Sequence, residues 1–124
     1  MMTANRILRL NAVITAASAA VMIATRPYLY PLFGLSSPMW LDVAAAVFVG
    51  YAAALLVAAR RCVVPRPALW AFAIGDGACF AVSIVLLLAF WSELTPTART
   101  LIALTALVVD AFALAQYRAA RVAQ

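Results

Sequence analysis

Two aspartates, Asp76 and Asp110, sit inside apolar runs long enough to cross a bilayer. An ionised carboxylate at the centre of a membrane costs at least about 2.5–3.5 kcal/mol on insertion scales. It therefore needs a partner, a proton or a watery cavity. Asp76 lies ten residues beyond Arg66, and Asp110 lies eight before Arg118. At 1.5 Å per helical residue both fall roughly 12–15 Å from one boundary, on neighbouring helices. Two close carboxylates do not ionise independently, so such a pair could bind or relay a proton.

Other polar side chains converge on that level. Asn11, Thr15 and Ser18 recur at i, i+4 and i+7, which places them in one stripe on a helix. Ser83 follows Asp76 at i+7, with Cys79 between them on the same face. The expected site is a polar pocket formed by Asn11, Thr15, Ser18, Asp76, Ser83 and Asp110. Two uses compete for it. Hydrogen bonds across helices glue membrane bundles at about 0.6–2 kcal/mol each, and the same groups could instead hold a proton, an ion or a ligand. An ion pair of either acid with Arg6 or Arg9 is a variant of the structural reading.

The elements that hold these residues follow from composition. The chain has 124 residues, of which 69% are hydrophobic and 10% charged, against about 45–50% and about 25% in soluble domains. Its mean hydropathy is +1.07, so lipid is the expected solvent. Four apolar stretches, at about 7–25, 38–59, 67–91 and 96–117, are each long enough to span about 30 Å as a helix. The expectation is a single all-α domain over residues 1–124, a transmembrane four-helix bundle. Ser37-Pro38 and Thr95-Pro96 place a capping hydroxyl before a proline at the first helical position, and Pro67 starts the third helix similarly. Between the first two spans, residues 27–34 read as too broken by proline for a helix, yet apolar enough to lie in the membrane interface.

Arginine bias sets the expected orientation. Arg6, Arg9, Arg60, Arg61, Arg66, Arg118 and Arg121 fall on one side, and only Arg26 and Arg99 on the other. By the positive-inside rule both termini are cytoplasmic. Tyr28, Tyr30, Trp40 and Trp91 would form the outer aromatic belt, with Trp70 and Tyr117 on the inner side. Arg6 and Arg9 before an alanine-rich run also suit a secretory signal, with Ala17-Ser18-Ala19 as a cleavage site. Removing that run would leave three crossings and spoil the even arginine pattern, so a retained first span is expected.

The net charge of +5 is scattered at the ends of apolar runs, which argues for membrane orientation rather than nucleic-acid binding. With no histidine in the chain, zinc, haem and Cys-His nucleophile arrangements lose their usual ligand or base. Gly75-Asp76-Gly77 lies within a span and lacks the strand and helix context of a phosphate loop. No enzyme activity and no cofactor are expected. Asp42 reads as a surface acid, solvated or paired with Arg26, and Glu93 as solvated. Ala46, Gly50 and Ala54 make a small-residue ladder expected to serve helix packing, within the bundle more often than between subunits. Tyr51 in mid-span needs a hydroxyl partner or a polar cavity unless it packs as an ordinary aromatic ring. Pro38 and Arg60 align with Pro96 and Arg118 at one shift, and Asn11 and Ser18 with Asp76 and Ser83 at another. Both hint at a duplicated two-helix hairpin, with parallel repeats.

Arg9-Leu10-Asn11-Ala12, Leu35-Ser36-Ser37-Pro38, Gly75-Asp76 with Ser83, and Ala115-Gln116-Tyr117-Arg118 together resemble a group of small four-span bacterial inner-membrane proteins. The resemblance covers nearly the whole chain. It implies a multi-pass protein of a bacterial inner membrane and lends no catalytic residues. The small multidrug exporters do not fit: they carry a glutamate in the first span, where this chain has Asn11, Thr15 and Ser18. The expected role is accessory or structural, binding lipid or a larger membrane complex, with a homo-oligomer as a further partner. The alternative is a small proton-coupled transporter or channel using Asp76 and Asp110.

Overall fold

The computed structural model describes residues 3–34, 36–37 and 39–122. Five helices follow one another: α1 (Ala4–Ala24), α2 (Arg26–Leu32), α3 (Met39–Ala59), α4 (Arg66–Ala89) and α5 (Pro96–Val122). The four long ones are apolar enough to cross a membrane, and no strand occurs among the described residues. The fold is an all-α four-helix bundle.

The helix ends have local causes. Thr3 caps α1 by accepting from the Arg6 N–H. Thr95 accepts from the Ala98 N–H at 3.2 Å and sets the start of α5 at Pro96. The Ser37 hydroxyl accepts from the Met39 N–H ahead of α3, while the Pro38 start falls outside the described residues. α4 begins one residue before Pro67, and it stops at Ala89 rather than Trp91, where the chain turns through Glu93 and Leu94 onto the Phe90 carbonyl. α5 runs five residues past Tyr117, because Arg118–Arg121 are good helix formers even though they leave the apolar zone.

One expectation needs correction. Residues 26–32 form a short helix despite two prolines. Pro27 lies in its first turn, where a missing N–H costs nothing, and Pro31 comes so late that only one helical hydrogen bond is lost. Gly34 then turns the chain at φ 70, a left-handed conformation that glycine takes without strain.

The long helices pack as two hairpins, α1 along α3 and α4 along α5, with much sparser contact between the pairs. The two meet most densely at the end carrying both termini. There Leu8, Leu55, Leu69 and Ala120, one from each long helix, form a closed apolar cluster with Ala12, Ala59 and Val64. Asn5 ties the first hairpin at this end, since its Nδ2 donates to the Ala59 carbonyl at 2.8 Å and the Arg61 carbonyl at 2.9 Å. These are carbonyls that the last turn of α3 cannot satisfy itself. Asn5→Ala is expected to lower stability by about 1–2 kcal/mol in denaturant titration. At the opposite end Thr95 donates to the Leu32 carbonyl, and Arg26 meets Asp42 at 3.4 Å in an exposed ion pair, one of the two arrangements expected for Asp42.

The small-residue ladder does not pack inside the bundle. Ala46, Gly50 and Ala54 are all exposed, and a Cβ added at Gly50 would meet nothing within 4 Å. The inward face of α3 is carried instead by Leu41, Ala45, Ala52, Leu55 and Ala59. Gly50→Ala is therefore expected not to destabilise the bundle, and to gain up to about 1 kcal/mol in unfolding free energy from helix propensity.

Candidate functional site: a buried carboxylate shared by four helices

Asp76 sits at the inward face of α4, 5% exposed, with Asn11 of α1 at 3% and Gln116 of α5 at 0%. Its Oδ2 accepts from Asn11 Nδ2 at 2.9 Å and from Gln116 Nε2 at 2.6 Å. Its Oδ1 accepts from the Tyr51 hydroxyl of α3 at 3.1 Å. Asn11 Nδ2 also lies 3.2 Å from Gln116 Oε1, and the Thr15 hydroxyl donates to Asn11 Oδ1 at 3.1 Å. Each long helix contributes at least one member. The cluster thus bridges the two hairpins.

Every group that touches the carboxylate donates to it. Amide and phenol donors suit an acceptor-only carboxylate, and bonds of this charge-assisted kind are the strong ones. Tyr51 has a second acceptor in reach, the Phe72 carbonyl at 3.2 Å. One hydroxyl proton serves two acceptors, so it goes to one or the other. The ring is held edge-on to Phe72, with centroids 5.7 Å apart. It lies close over Gly75, where an added Cβ would stand 3.4 Å from its hydroxyl oxygen.

The cluster has an internal symmetry. A shift of 65 residues carries Asn11 onto Asp76 and Tyr51 onto Gln116. Asn11 and Asp76 bond to each other; Tyr51 bonds to Asp76 as Gln116 bonds to Asn11. Mates exchange partners, as they would about an axis running along the bundle.

Asp110 does not join this site. It is half-buried on α5, forms no side-chain hydrogen bond or ion pair among the described residues, and does not border the cavity beside Asp76. Six residues separate it from Gln116, which puts it about 120° round the helix from the residue that faces Asp76. The expected Asp76–Asp110 pair is thus replaced by Asp76–Gln116. Ser83 is buried but donates to the Cys79 carbonyl of its own helix at 2.9 Å. Ser18 likewise donates to the Ile14 carbonyl at 2.8 Å. Neither Arg6 nor Arg9 pairs with an acid; the ion pair found among the described residues is Arg26–Asp42.

Beside the cluster lies a cavity of about 450 Å³ between the hairpins. Asn11, Thr15, Ser18, Tyr51 and Asp76 border it, but most of its wall is apolar, including Phe48, Val109 and Phe112. The expected polar pocket is an apolar one with a polar end.

Sequence reasoning left Gln116 out of the site and noted that the Tyr51 hydroxyl needs a partner without placing it beside Asp76. Gln116 falls inside the expected fourth span, one residue before its end, and was given no role of its own. The signal that could have found both is the 65-residue shift, which links them as it links Asn11 and Asp76. Comparison with protein families, with curated proteins and with solved structures found no match.

Proposed function

We propose that this chain is an accessory or structural protein of a bacterial inner membrane, with both termini cytoplasmic, that binds lipid or a larger membrane complex through its outward helix faces. The observation that carries the reading is the closure of the Asp76 carboxylate by three donors from the three other long helices. Polar groups so used fix how two hairpins sit together. Purification in mild detergent, followed by mass spectrometry, tests the role. A membrane protein that co-purifies in fixed ratio is expected; recovery of the chain alone as a symmetric oligomer would oppose it.

Cys62 gives the orientation a direct readout. It is exposed in the connection between α3 and α4, whereas Cys79 lies within a span. A membrane-impermeant maleimide is expected to label Cys62 in inverted vesicles and leave it unlabelled in intact spheroplasts. The reverse pattern would turn the topology over.

A second reading, a small proton-coupled carrier, is favoured by the two acceptors within reach of the Tyr51 hydroxyl. If Oδ1 of Asp76 carries a proton, that proton can bond to Tyr51 while the phenol turns to Phe72. The carrier would use Asp76 alone, without Asp110. Proton flux into vesicles carrying a pH-sensitive dye, abolished by Asp76→Asn, is its required outcome.

A further inference from the structure

The cavity between the hairpins has a chemistry of its own, beyond the accessory role. Its volume of about 450 Å³ falls among small-molecule sites, which run about 300–1,000 Å³. The hydroxyls on its wall have spent their protons. Thr15 donates to Asn11 Oδ1, Ser18 to the Ile14 carbonyl and Thr105 to the Leu101 carbonyl. They present lone pairs alone.

Asp76 adds a carboxylate with no ion-pair partner among the described residues. Its two oxygens offer about four acceptor directions. Asn11 and Gln116 take two on Oδ2, and Tyr51 takes one on Oδ1. One remains on Oδ1, beside the Tyr51 that borders the cavity. Phe48, Tyr51 and Phe112 bring aromatic rings, whose faces attract cations.

Acceptors, rings and an unneutralised carboxylate select for positive charge, and the apolar wall selects for an apolar body. A neutral acyl chain would leave the carboxylate unmatched. A hard inorganic cation wants six or more oxygens and finds a wall of Val109 and Phe112 instead. We propose that this cavity binds a monovalent organic cation with an apolar body, its charge set against Asp76 and its body seated among Phe48, Val109 and Phe112.

The test uses the full chain in mild detergent and equilibrium dialysis with tetraphenylphosphonium, with triphenylphosphine oxide as a neutral probe of similar shape. The cation is expected to bind saturably, at least about tenfold tighter than the neutral probe. Asp76→Asn should weaken cation binding by about the same factor and leave the neutral probe unaffected. Val109→Phe, which fills the cavity away from the carboxylate, should weaken both, with helicity and elution volume retained. Equal affinity for the two probes, or no saturable cation binding, would overturn the assignment. So would unchanged cation binding in either variant. If Asp76→Asn does not fold, Val109→Phe and the two-probe comparison decide alone. The hairpin-locking role is read by unfolding rather than binding, so the two ideas fail separately.

Discussion

Replacing Asn11 and Gln116 together by leucine is expected to destabilise the folded bundle by about 3–5 kcal/mol, the cost of stripping a buried charge of its partners. The magnitude discriminates between mechanisms. At the average of about 0.6 kcal/mol for an interhelical hydrogen bond in a membrane, two total only about 1.2 kcal/mol. The larger loss arises because Oδ2 of Asp76 would keep no donor, with Tyr51 alone remaining on Oδ1. Asp76→Asn should cost less, about 1.5 kcal/mol or under, because the Asn11 and Gln116 amides can rotate to offer oxygen to the new amide. Reversible unfolding in mixed micelles, titrated with a denaturing detergent, reads both variants. A double variant no weaker than Asp76→Asn would show that the charge needs no partners.

The second large effect is expected at the closed end of the bundle. Leu55 is 0% exposed and meets residues of both hairpins. Leu55→Ala should cost about 2–3 kcal/mol, the low end for leucine truncation in a core. The low end applies because lipid is as apolar as the helix interior, so the lost packing counts and the transfer term does not. Leu88, 77% exposed on α4, has no such packing to lose. Leu88→Ala is expected to stay within about 0.5 kcal/mol in the same titration. Equal losses at the two positions would mean that burial inside the bundle contributes nothing.

Much of the scaffold was readable from the chain alone. Apolar length marks the four spans, and the Thr95-Pro96 start and the Arg26–Asp42 pairing each rest on a local rule that neighbouring residues obey. The site was readable only in part. Asn11, Thr15 and Asp76 come together because each interrupts an apolar run on an inward face. Asp110 interrupts one too, yet depth says nothing about azimuth, and a shift of six residues turns it away from Asp76. The ladder at Ala46, Gly50 and Ala54 likewise does not mark the inward face of α3, because small residues permit close approach without saying which side a neighbour takes. Tyr51 and Gln116 share the 65-residue shift that links Asn11 to Asp76, but that both meet the carboxylate depends on which helices adjoin. Asn5 needed three-dimensional knowledge as well, since its acceptors lie more than fifty residues away, at the end of α3 and on the turn after it.

The central claim is that a hydrogen-bonded carboxylate at Asp76 joins the two hairpins. The most direct test is a double-mutant cycle in unfolding free energy between Asp76→Leu and the Asn11→Leu/Gln116→Leu pair. With the carboxylate gone, the partner substitutions have no charge left to expose, so Asp76→Leu should recover most of the 3–5 kcal/mol they cost, giving a coupling of about 2 kcal/mol or more. Additive losses, with coupling inside about 0.5 kcal/mol, would contradict it.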